Sequence, residues 1–188
     1  PVCLIAIDEA HCISQWGYDF RPSYLRIADI RQLFPKVPVL ALTATATPDV
    51  VDDIQERLGF RKKNVFKKSF HRDNLQYVVR YTEKKDEQIL HILSRVPGSS
   101  IIYVRNRKRA QEVAAWLIEQ GMAADFYHAG LTTHERTQKQ KAWKNYNGKE
   151  GIRIMVCTNA FGMGIDKPDV RFVIHYDIPK SLEGYYQE

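Results

Sequence analysis

The sequence predicts an α/β fold that is built on parallel β-sheets. Apolar segments of strand length alternate with amphipathic segments of helix length along the 188 residues. Several apolar segments, such as Ile101–Val104, show no alternation of polar and apolar residues, which is typical of parallel strands that are buried on both faces. Strands that alternate with helices pair in parallel through right-handed crossovers.

The apolar segments predict seven strands. In chain order they are Val2–Ile7, Val39–Leu42, Leu75–Val79, Ile101–Val104, Ala124–Tyr127, Ile152–Cys157 and Val170–His175. The first strand begins at the second residue of the chain, and we therefore expect the first domain to lack strands that would precede it.

Three helices are predicted between these strands. Thr47 and Pro48 are typical of the N-cap and first position of a helix. A second apolar face recurs at helical spacing over residues 110–118. Thr132 and Glu135 have the spacing of a capping box, which predicts the start of the third helix.

Composition and charge indicate a globular, basic protein. Hydrophobic residues make up 44% of the chain, the net charge is +6 and the isoelectric point is about 9.2. A basic balance favours a polyanionic partner such as nucleic acid, and the alternative is a merely basic surface. The apolar runs are too short for a membrane helix, so no membrane partner is expected.

A basic segment of low periodicity predicts a domain boundary near Ser69–Asp73. It contains Arg61, Lys62, Lys63, Lys67, Lys68 and Arg72. We expect a first domain over residues 1–70 and a second over residues 71–188. The alternative is a solvated basic loop inside one domain.

The three cysteines predict reduced thiols in an intracellular protein. Cys3, Cys12 and Cys157 are an odd number and lack the spacing of a zinc site. No zinc site is therefore expected in this chain.

Polar clusters follow five of the predicted strands at their carboxyl ends. Ligands of open α/β sheets bind at these ends. The clusters are Asp8-Glu9, Thr43-Ala44-Thr45, Arg105-Asn106, His128-Ala129-Gly130 and Thr158-Asn159. Their distribution over two proposed domains predicts two sheets whose binding edges face shared ligands.

Asp8 and Glu9 have the chemistry of a magnesium–nucleotide site. Mg²⁺ is usually held by one or two carboxylates together with substrate phosphates. Asp8 would bind Mg²⁺, directly or through water, and Glu9 would orient and deprotonate the attacking water. The alternative is that the four residues Asp8-Glu9-Ala10-His11 match such a site by chance. The accompanying phosphate loop, G-x-x-x-x-G-K-S/T, does not occur in this sequence, and we expect it to lie before Pro1.

Longer motifs identify a family. Asp8-Glu9-Ala10-His11, followed directly by the aromatic run 12–22, resembles the acidic ATPase motif and aromatic loop of the RecQ family of superfamily 2 (DEAH-type) DNA helicases. Further segments resemble later motifs of this family in its order; they are residues 41–47, 101–107, 127–131, 158–168 and 173–188. The resemblance covers nearly the whole chain.

The resemblance implies a fold and a set of site residues. The fold would be two RecA-like domains of the P-loop NTPase type, the first incomplete at its N-terminal side. The second would be truncated before its arginine-bearing motif. The implied catalytic residues are Asp8, Glu9 and His11, with Asp8 as the Mg²⁺ ligand. Gly162, Gly164, Asp166 and Gln187 would bind nucleotide. Trp16, Phe20, Arg21, Thr43, Thr45, Arg105, His128 and Thr158 would bind DNA or couple it to hydrolysis.

Several of these residues have alternative roles. Trp16 and Phe20 form either a stacking platform for unpaired DNA or part of a core. His11 either links the carboxylates to Thr43 or to the other domain by a hydrogen bond, or caps a helix or turn. Arg105 and His128 contact phosphates or lie on a solvated surface. Trp116 and Trp143 lie in helical patterns and are expected in the core.

The implied function is that of an ATP-dependent DNA helicase that uses ATP and Mg²⁺. Its partners would be single-stranded DNA, duplex junctions and repair proteins. It would act in the cytoplasm at the nucleoid of a bacterium, or in the nucleus of a eukaryote. The 188-residue chain alone is expected to lack ATPase activity. The alternatives are a non-enzymatic nucleic-acid-binding module and an RNA-remodelling ATPase of the same superfamily.

Overall fold

A computed structural model describes residues 1–14, 21–69, 71–162 and 164–188. The chain forms two compact units. The first unit contains Pro1–Gln76 and Lys180–Gln187, and the second contains Tyr77–Pro179 and Glu188. No helix within the described ranges has the length and apolar character needed to cross a membrane.

Strands and helices alternate along most of the chain. The elements in chain order are β1 (Ile5–Ile7), a 3₁₀ helix (Ala10–Ile13), a second 3₁₀ helix (Pro22–Asp29), α1 (Ile30–Leu33), β2 (Val39–Ala41), α2 (Pro48–Arg57), α3 (Lys85–Arg95), β3 (Ser99–Tyr103), α4 (Arg107–Glu119), β4 (Ala124–Tyr127), α5 (Thr133–Lys144), β5 (Ile154–Cys157), β6 (Val170–His175) and α6 (Leu182–Gln187).

The first unit is built on the parallel pair β1 and β2. Ile5 is opposite Val39, and Ile7 is opposite Ala41. Ile5 and Ile7 are buried because alternate residues of a strand point to the same face. The apolar face of α2, which includes Ile54, packs in the same core. The helix that Thr47 and Pro48 predict is therefore confirmed.

The second unit contains a parallel sheet with the strand order β4-β5-β3-β6. All five residues of β3 are buried, as expected for a strand covered on both faces. One face carries Ile102 and packs with residues of α3 and α4. The other carries Tyr103 and packs with Trp143 of α5. The fold class predicted from the alternating pattern is confirmed.

Side-chain caps begin two helices of the second unit. The Asn106 side chain accepts a hydrogen bond from the Arg109 backbone N–H at 2.8 Å. The capping box predicted at α5 is present, because Thr132 Oγ1 accepts from the Glu135 N–H at 3.2 Å and Glu135 Oε2 accepts from the Thr132 N–H at 2.7 Å. The Thr132 hydroxyl also donates to Glu135 Oε2 at 2.7 Å, and this hydrogen bond, together with the one from the Thr132 N–H, lowers the pKa of Glu135.

Two sequence predictions differ from the structure. The strand predicted over Leu75–Val79 is wrong, because this segment forms no strand and its Val79 side chain is 97% exposed. High β-propensity produces a strand only where a neighbouring strand supplies hydrogen bonds and packing. Conversely, α3 was not predicted, although Ile89 and Leu93 have helical spacing and Asp86 and Glu87 lie in its first turn.

The cysteines are joined by no disulfide within the described residues, and the helical tryptophans agree with expectation. Cys3 is exposed, whereas Cys12 and Cys157 are buried. Burial raises the pKa of the Cys157 thiol well above its usual range, which makes it a poor nucleophile. Trp143 is 1% exposed, and Trp116 packs against the core of the second unit.

Candidate functional site

The segments that follow β1 and β2 are hydrogen-bonded to each other. The Leu42 N–H donates to the Ile7 carbonyl at 2.8 Å, and the Ala10 N–H donates to the Leu42 carbonyl at 2.9 Å. Parallel pairing thus continues beyond both strands. It brings the Asp8-Glu9 and Thr43 clusters to one edge of the first unit.

The backbone at Glu9 has an uncommon conformation. Its φ of 49° and ψ of 41° lie in the left-handed region, which costs an L-residue about 1–2 kcal/mol. Among the described residues, no other non-glycine residue has a positive φ. Asp8 Oδ1 accepts a hydrogen bond from the Glu9 N–H at 2.9 Å. Strain of this kind concentrates at functional sites, so the outlier supports a role for this acidic pair.

His11 connects the Glu9 carboxylate to the end of β2. The His11 side chain is 3% exposed. Its Nδ1 lies 3.0 Å from Thr43 Oγ1 and 3.3 Å from Glu9 Oε2. The Thr43 hydroxyl also accepts a hydrogen bond from the Thr45 N–H at 3.3 Å. The structure thus contains the hydrogen bond to Thr43, which is one of the roles that the sequence leaves open for His11. The catalytic role of His11 stays a prediction.

The aromatic loop is described only at its end. Trp16 and Phe20, the residues of the predicted DNA platform, lie outside the described residues. Arg21 is exposed, and its backbone N–H donates to the Cys12 carbonyl at 2.9 Å. Its guanidinium carbon lies 6.0 Å from the centroid of the Tyr24 ring.

In the second unit, Arg105, His128 and Thr158 follow three adjacent parallel strands. Tyr103 of β3 and Tyr127 of β4 are both in register with Cys157 of β5. The three predicted DNA-contact residues therefore lie along one edge of the sheet. The sequence pattern predicts this alignment at one edge, because parallel strands end together.

The three residues differ in exposure. Arg105 is exposed, and its backbone N–H donates to Asp177 Oδ2 at 3.1 Å. His128 is 6% exposed and stacks on Phe126 with the ring centroids 5.6 Å apart. Thr158 is half-buried, and its N–H donates to the Tyr127 carbonyl at 3.3 Å.

Two further basic residues lie near this edge. Arg107 packs against Gly130, because a Cβ on Gly130 would lie 2.7 Å from Arg107 Nη1. Lys139 Nζ lies 4.1 Å from the centroid of the Phe126 ring and 2.5 Å from Asp125 Oδ1. Neither residue is among the site residues that the sequence predicts. Arg107 directly follows the Arg105-Asn106 pair, and that adjacency was the available signal.

The predicted nucleotide-binding residues occupy a glycine-containing loop and α6. Gly162 has a φ of 121° and Gly164 a φ of 69°, values that glycine adopts without steric cost. Asp166 is exposed. Gln187 is half-buried in α6 of the first unit.

Three predicted site residues contain a buried polar atom for which the described part of the chain supplies no hydrogen-bond partner. They are Thr45 (Oγ1), His128 (Nδ1) and Gln187 (Oε1). Buried polar groups are normally paired, and an orphan calls for an explanation such as an absent ligand or water. These orphans are consistent with binding roles. No cluster of three or more His, Cys, Asp or Glu suited to a metal is present within the described ranges.

Comparison with protein families identifies the chain's class. The model of the helicase conserved C-terminal domain matches residues 84–188. The chain belongs to this family.

Individual relatives narrow this assignment. The chain is 45% identical to the RecQ-like DNA helicase blm-1 of Caenorhabditis elegans, over 97% of this chain and 18% of that protein. It is 43% identical to the ATP-dependent DNA helicase RecQ of Pasteurella multocida, over 100% of this chain and 29% of that protein. It is 45% identical to the ATP-dependent DNA helicase RecQ of Bacillus subtilis, over 100% of this chain and 31% of that protein. The resemblance to the RecQ family is confirmed. The chain spans less than a third of the length of these relatives.

Solved structures support the fold. Saccharomyces cerevisiae Dbp5, in a structure with RNA and ADP BeF₃, matches with a TM-score of 0.74 and 22% identity, over 98% of this chain and 48% of that chain. The RecA-like α/β fold is thereby confirmed.

Proposed function

We propose that the gene product containing this chain is an ATP-dependent DNA helicase. It would couple hydrolysis of ATP to movement along single-stranded DNA and to duplex unwinding during repair or recombination. The observation that carries the proposal is the strand-end site of the first unit, where strained Glu9 lies beside the His11–Thr43 hydrogen bond. The names of the relatives favour DNA over RNA as the substrate.

The residues present fit Mg²⁺ delivered with a nucleotide. Asp8 and Glu9 supply two adjacent carboxylates, and Asp8 is exposed to solvent. Mg²⁺ needs only one or two protein carboxylates when phosphates supply other ligands. The orphaned Gln187 Oε1 can accept a hydrogen bond from a bound nucleotide.

Asp8 and Glu9 would divide the chemistry of hydrolysis. Bound Mg²⁺ supplies charge neutralisation for the phosphates. Asp8 would hold the metal, and Glu9 would orient the attacking water and accept its proton. Glu9 has a left-handed backbone, and its carboxylate lies 3.3 Å from His11 Nδ1. This contact would fix the orientation of the Glu9 carboxylate as a base.

His11 and Thr43 would transmit the state of this site to the segment after β2. The Thr43 hydroxyl contacts both the His11 ring and the Thr45 backbone. A change in the position of Glu9 would therefore shift the hydrogen bonds of residues 43–45. Trp16, Phe20 and Arg21, which follow the acidic motif in the sequence, would sense DNA.

Arg105, His128 and Thr158 would bind the DNA backbone. A guanidinium, an imidazole and a hydroxyl at one sheet edge offer donors to phosphate oxygens without reading sequence. Gly162, Gly164 and Asp166 would contact the nucleotide. We propose, from the sequence, that residues 1–70 belong to motor domain 1 and residues 71–188 to motor domain 2, whereas the compact units group Lys180–Gln187 with the first part of the chain. A DNA substrate would locate the protein at a nucleoid or in a nucleus, where repair proteins are its expected partners.

The test measures ATP hydrolysis by the natural full-length gene product with and without single-stranded DNA. We expect DNA-stimulated, Mg²⁺-dependent hydrolysis that Asp8→Asn reduces at least about 100-fold, because the metal ligand is lost. Asp52→Asn is the matched control, since Asp52 is an exposed carboxylate that pairs only with exposed Lys63 among the described residues. Salt-sensitive DNA binding that is indifferent to ATP would instead indicate a binding module, and stimulation by RNA alone would indicate an RNA-remodelling ATPase.

A further inference from the structure

The side chain of Tyr103 contacts the loop that contains the predicted nucleotide-binding glycines. Tyr103 lies in β3 at the centre of the second unit and is 4% exposed. Its hydroxyl donates a hydrogen bond to the Phe161 carbonyl at 2.8 Å. This contact joins residues that are 58 positions apart in the sequence. The hydroxyl therefore attaches the loop directly to the sheet.

Phe161 fixes the same point of the loop by packing. It is 2% exposed. Its ring makes edge-on contacts with Tyr127 and Trp143, at centroid distances of 4.8 and 5.2 Å. Such aromatic pairs contribute about 0.5–1.5 kcal/mol beyond the burial of their area. Phe161 is thus held through both its side chain and its carbonyl.

Gly162 is the residue that this arrangement constrains most. A Cβ at position 162 would lie 2.6 Å from the Tyr103 hydroxyl oxygen, which is closer than real Cβ contacts. The φ of Gly162 is 121°, so a side chain would also strain the backbone. The Tyr103 hydroxyl therefore occupies the space beside Gly162 and restricts where the glycine backbone can lie.

Thr158, at the other end of this segment, has an additional anchor on β4. Its N–H donates to the Tyr127 carbonyl at 3.3 Å, and its carbonyl accepts from the Phe161 N–H at 3.1 Å. Removal of the Tyr103 hydroxyl would leave the hydrogen bond between the Thr158 N–H and the Tyr127 carbonyl of β4 in place. The predicted DNA contact thus has an anchor on β4, whereas the Phe161–Gly162 peptide is anchored by the Tyr103 hydroxyl of β3.

We infer that Tyr103 is a positioning residue for nucleotide binding, which acts by holding the Phe161–Gly162 peptide against the sheet. This inference rests on the proposed function. It assigns to a buried strand tyrosine a specific effect on the affinity for ATP, and it predicts that the affinity for DNA is unaffected.

The test compares Tyr103→Phe with wild type in the natural full-length gene product. We expect the KM for ATP to rise about three- to tenfold, the equivalent of one net hydrogen bond. The DNA concentration that gives half-maximal stimulation should change less than twofold, because the Thr158 N–H keeps its hydrogen bond to the Tyr127 carbonyl of β4. Tyr127→Phe is the control, since Tyr127 also packs on Phe161, and it should leave both constants unchanged.

A double-mutant cycle adds a second readout. Gly162→Ala should raise the KM in the wild-type background. Gly162→Ala should raise the KM less in the Tyr103→Phe background. The hydroxyl is then gone, and the ring carbon Cζ lies 3.9 Å from the added Cβ. Additive effects of the two changes would contradict the inference, as would a KM for Tyr103→Phe that equals that of Tyr127→Phe.

Amide hydrogen exchange of residues 158–162 without nucleotide separates this inference from the proposed function. Faster exchange in Tyr103→Phe than in Tyr127→Phe is expected, because the anchor is lost. Equal exchange would overturn the inference even if the protein is a helicase. Absence of DNA-stimulated hydrolysis in wild type would instead overturn the proposed function.

Discussion

His11 Nδ1 lies 3.0 Å from the hydroxyl oxygen of Thr43, 32 residues further along the chain. The two residues follow β1 and β2, which pair in parallel. The same Nδ1 is 3.3 Å from Glu9 Oε2. A buried imidazole thus bridges the predicted catalytic base and the segment that the resemblance assigns to DNA coupling.

Thr43→Val should uncouple hydrolysis from DNA while preserving the fold. Valine has nearly the shape of threonine but cannot hydrogen-bond to His11. We expect DNA stimulation of ATPase to fall about three- to tenfold, in line with one net hydrogen bond, with basal hydrolysis less affected. The measurement is the ratio of the rates with and without single-stranded DNA. Thr47→Val is the matched control, because the exposed Thr47 side chain makes no capping hydrogen bond. Equal ratios in the two variants would contradict the coupling role.

Arg105→Gln should weaken DNA binding in a salt-dependent manner. Loss of one phosphate contact on a single strand should reduce the slope of log K against log salt by about 0.7. Arg171→Gln removes the same charge from β6, where Arg171 donates to the Pro168 and Val170 carbonyls. The measurement is single-stranded DNA affinity over a salt series. A slope that changes equally in both variants would indicate a general charge effect.

Asp169 should contribute stability at neutral pH that disappears in acid. Partial burial raises the pKa of this carboxyl, but hydrogen bonds from Lys167 and Ser99 outweigh it and leave the pKa below its ordinary value. A lowered folded-state pKa stabilises the fold above the unfolded-state pKa of about 4 and loses this effect as pH falls through the folded-state value.

Asp169→Asn tests this stability effect. We expect it to lower stability at pH 7 by less than about 1 kcal/mol, because the Asp169 side chain is 40% exposed and solvent screens its ion pair with Lys167. The difference from wild type should shrink below pH 4. Thermal unfolding at several pH values measures the loss of stability at pH 7 and its decrease in acid. Asp52→Asn, at an exposed ion pair, should have little effect at any pH. A pH-independent difference for Asp169→Asn would assign its contribution to packing.

The sequence was informative where local patterns determine structure. Some elements depend only on residues that are neighbours in the sequence, and these are predicted. They are the Thr132 capping box, the helix start at Thr47-Pro48, and the apolar strands β3 and β5. The alignment of polar clusters at strand ends also followed, because parallel strands end at the same edge.

Contacts that depend on tertiary register could not be predicted. The Tyr103–Phe161 hydrogen bond and the packing of Arg107 on Gly130 arise from how β3, β4 and β5 align and from the path of their loops. The strand expected at Leu75–Val79 failed for a related reason. Its composition suits a strand, but strand formation requires a partner that composition does not specify.

Strand displacement from a partial DNA duplex by the natural full-length gene product, compared with Glu9→Gln, measures whether the Glu9 carboxylate drives unwinding. Glutamine keeps the size of Glu9 but cannot accept the proton of the attacking water. We expect wild type to unwind the duplex with ATP and Glu9→Gln to bind ATP and DNA while unwinding at least about 100-fold more slowly, consistent with loss of a general base. Unwinding by Glu9→Gln at the wild-type rate, or ATP-independent displacement by wild type, would contradict the account.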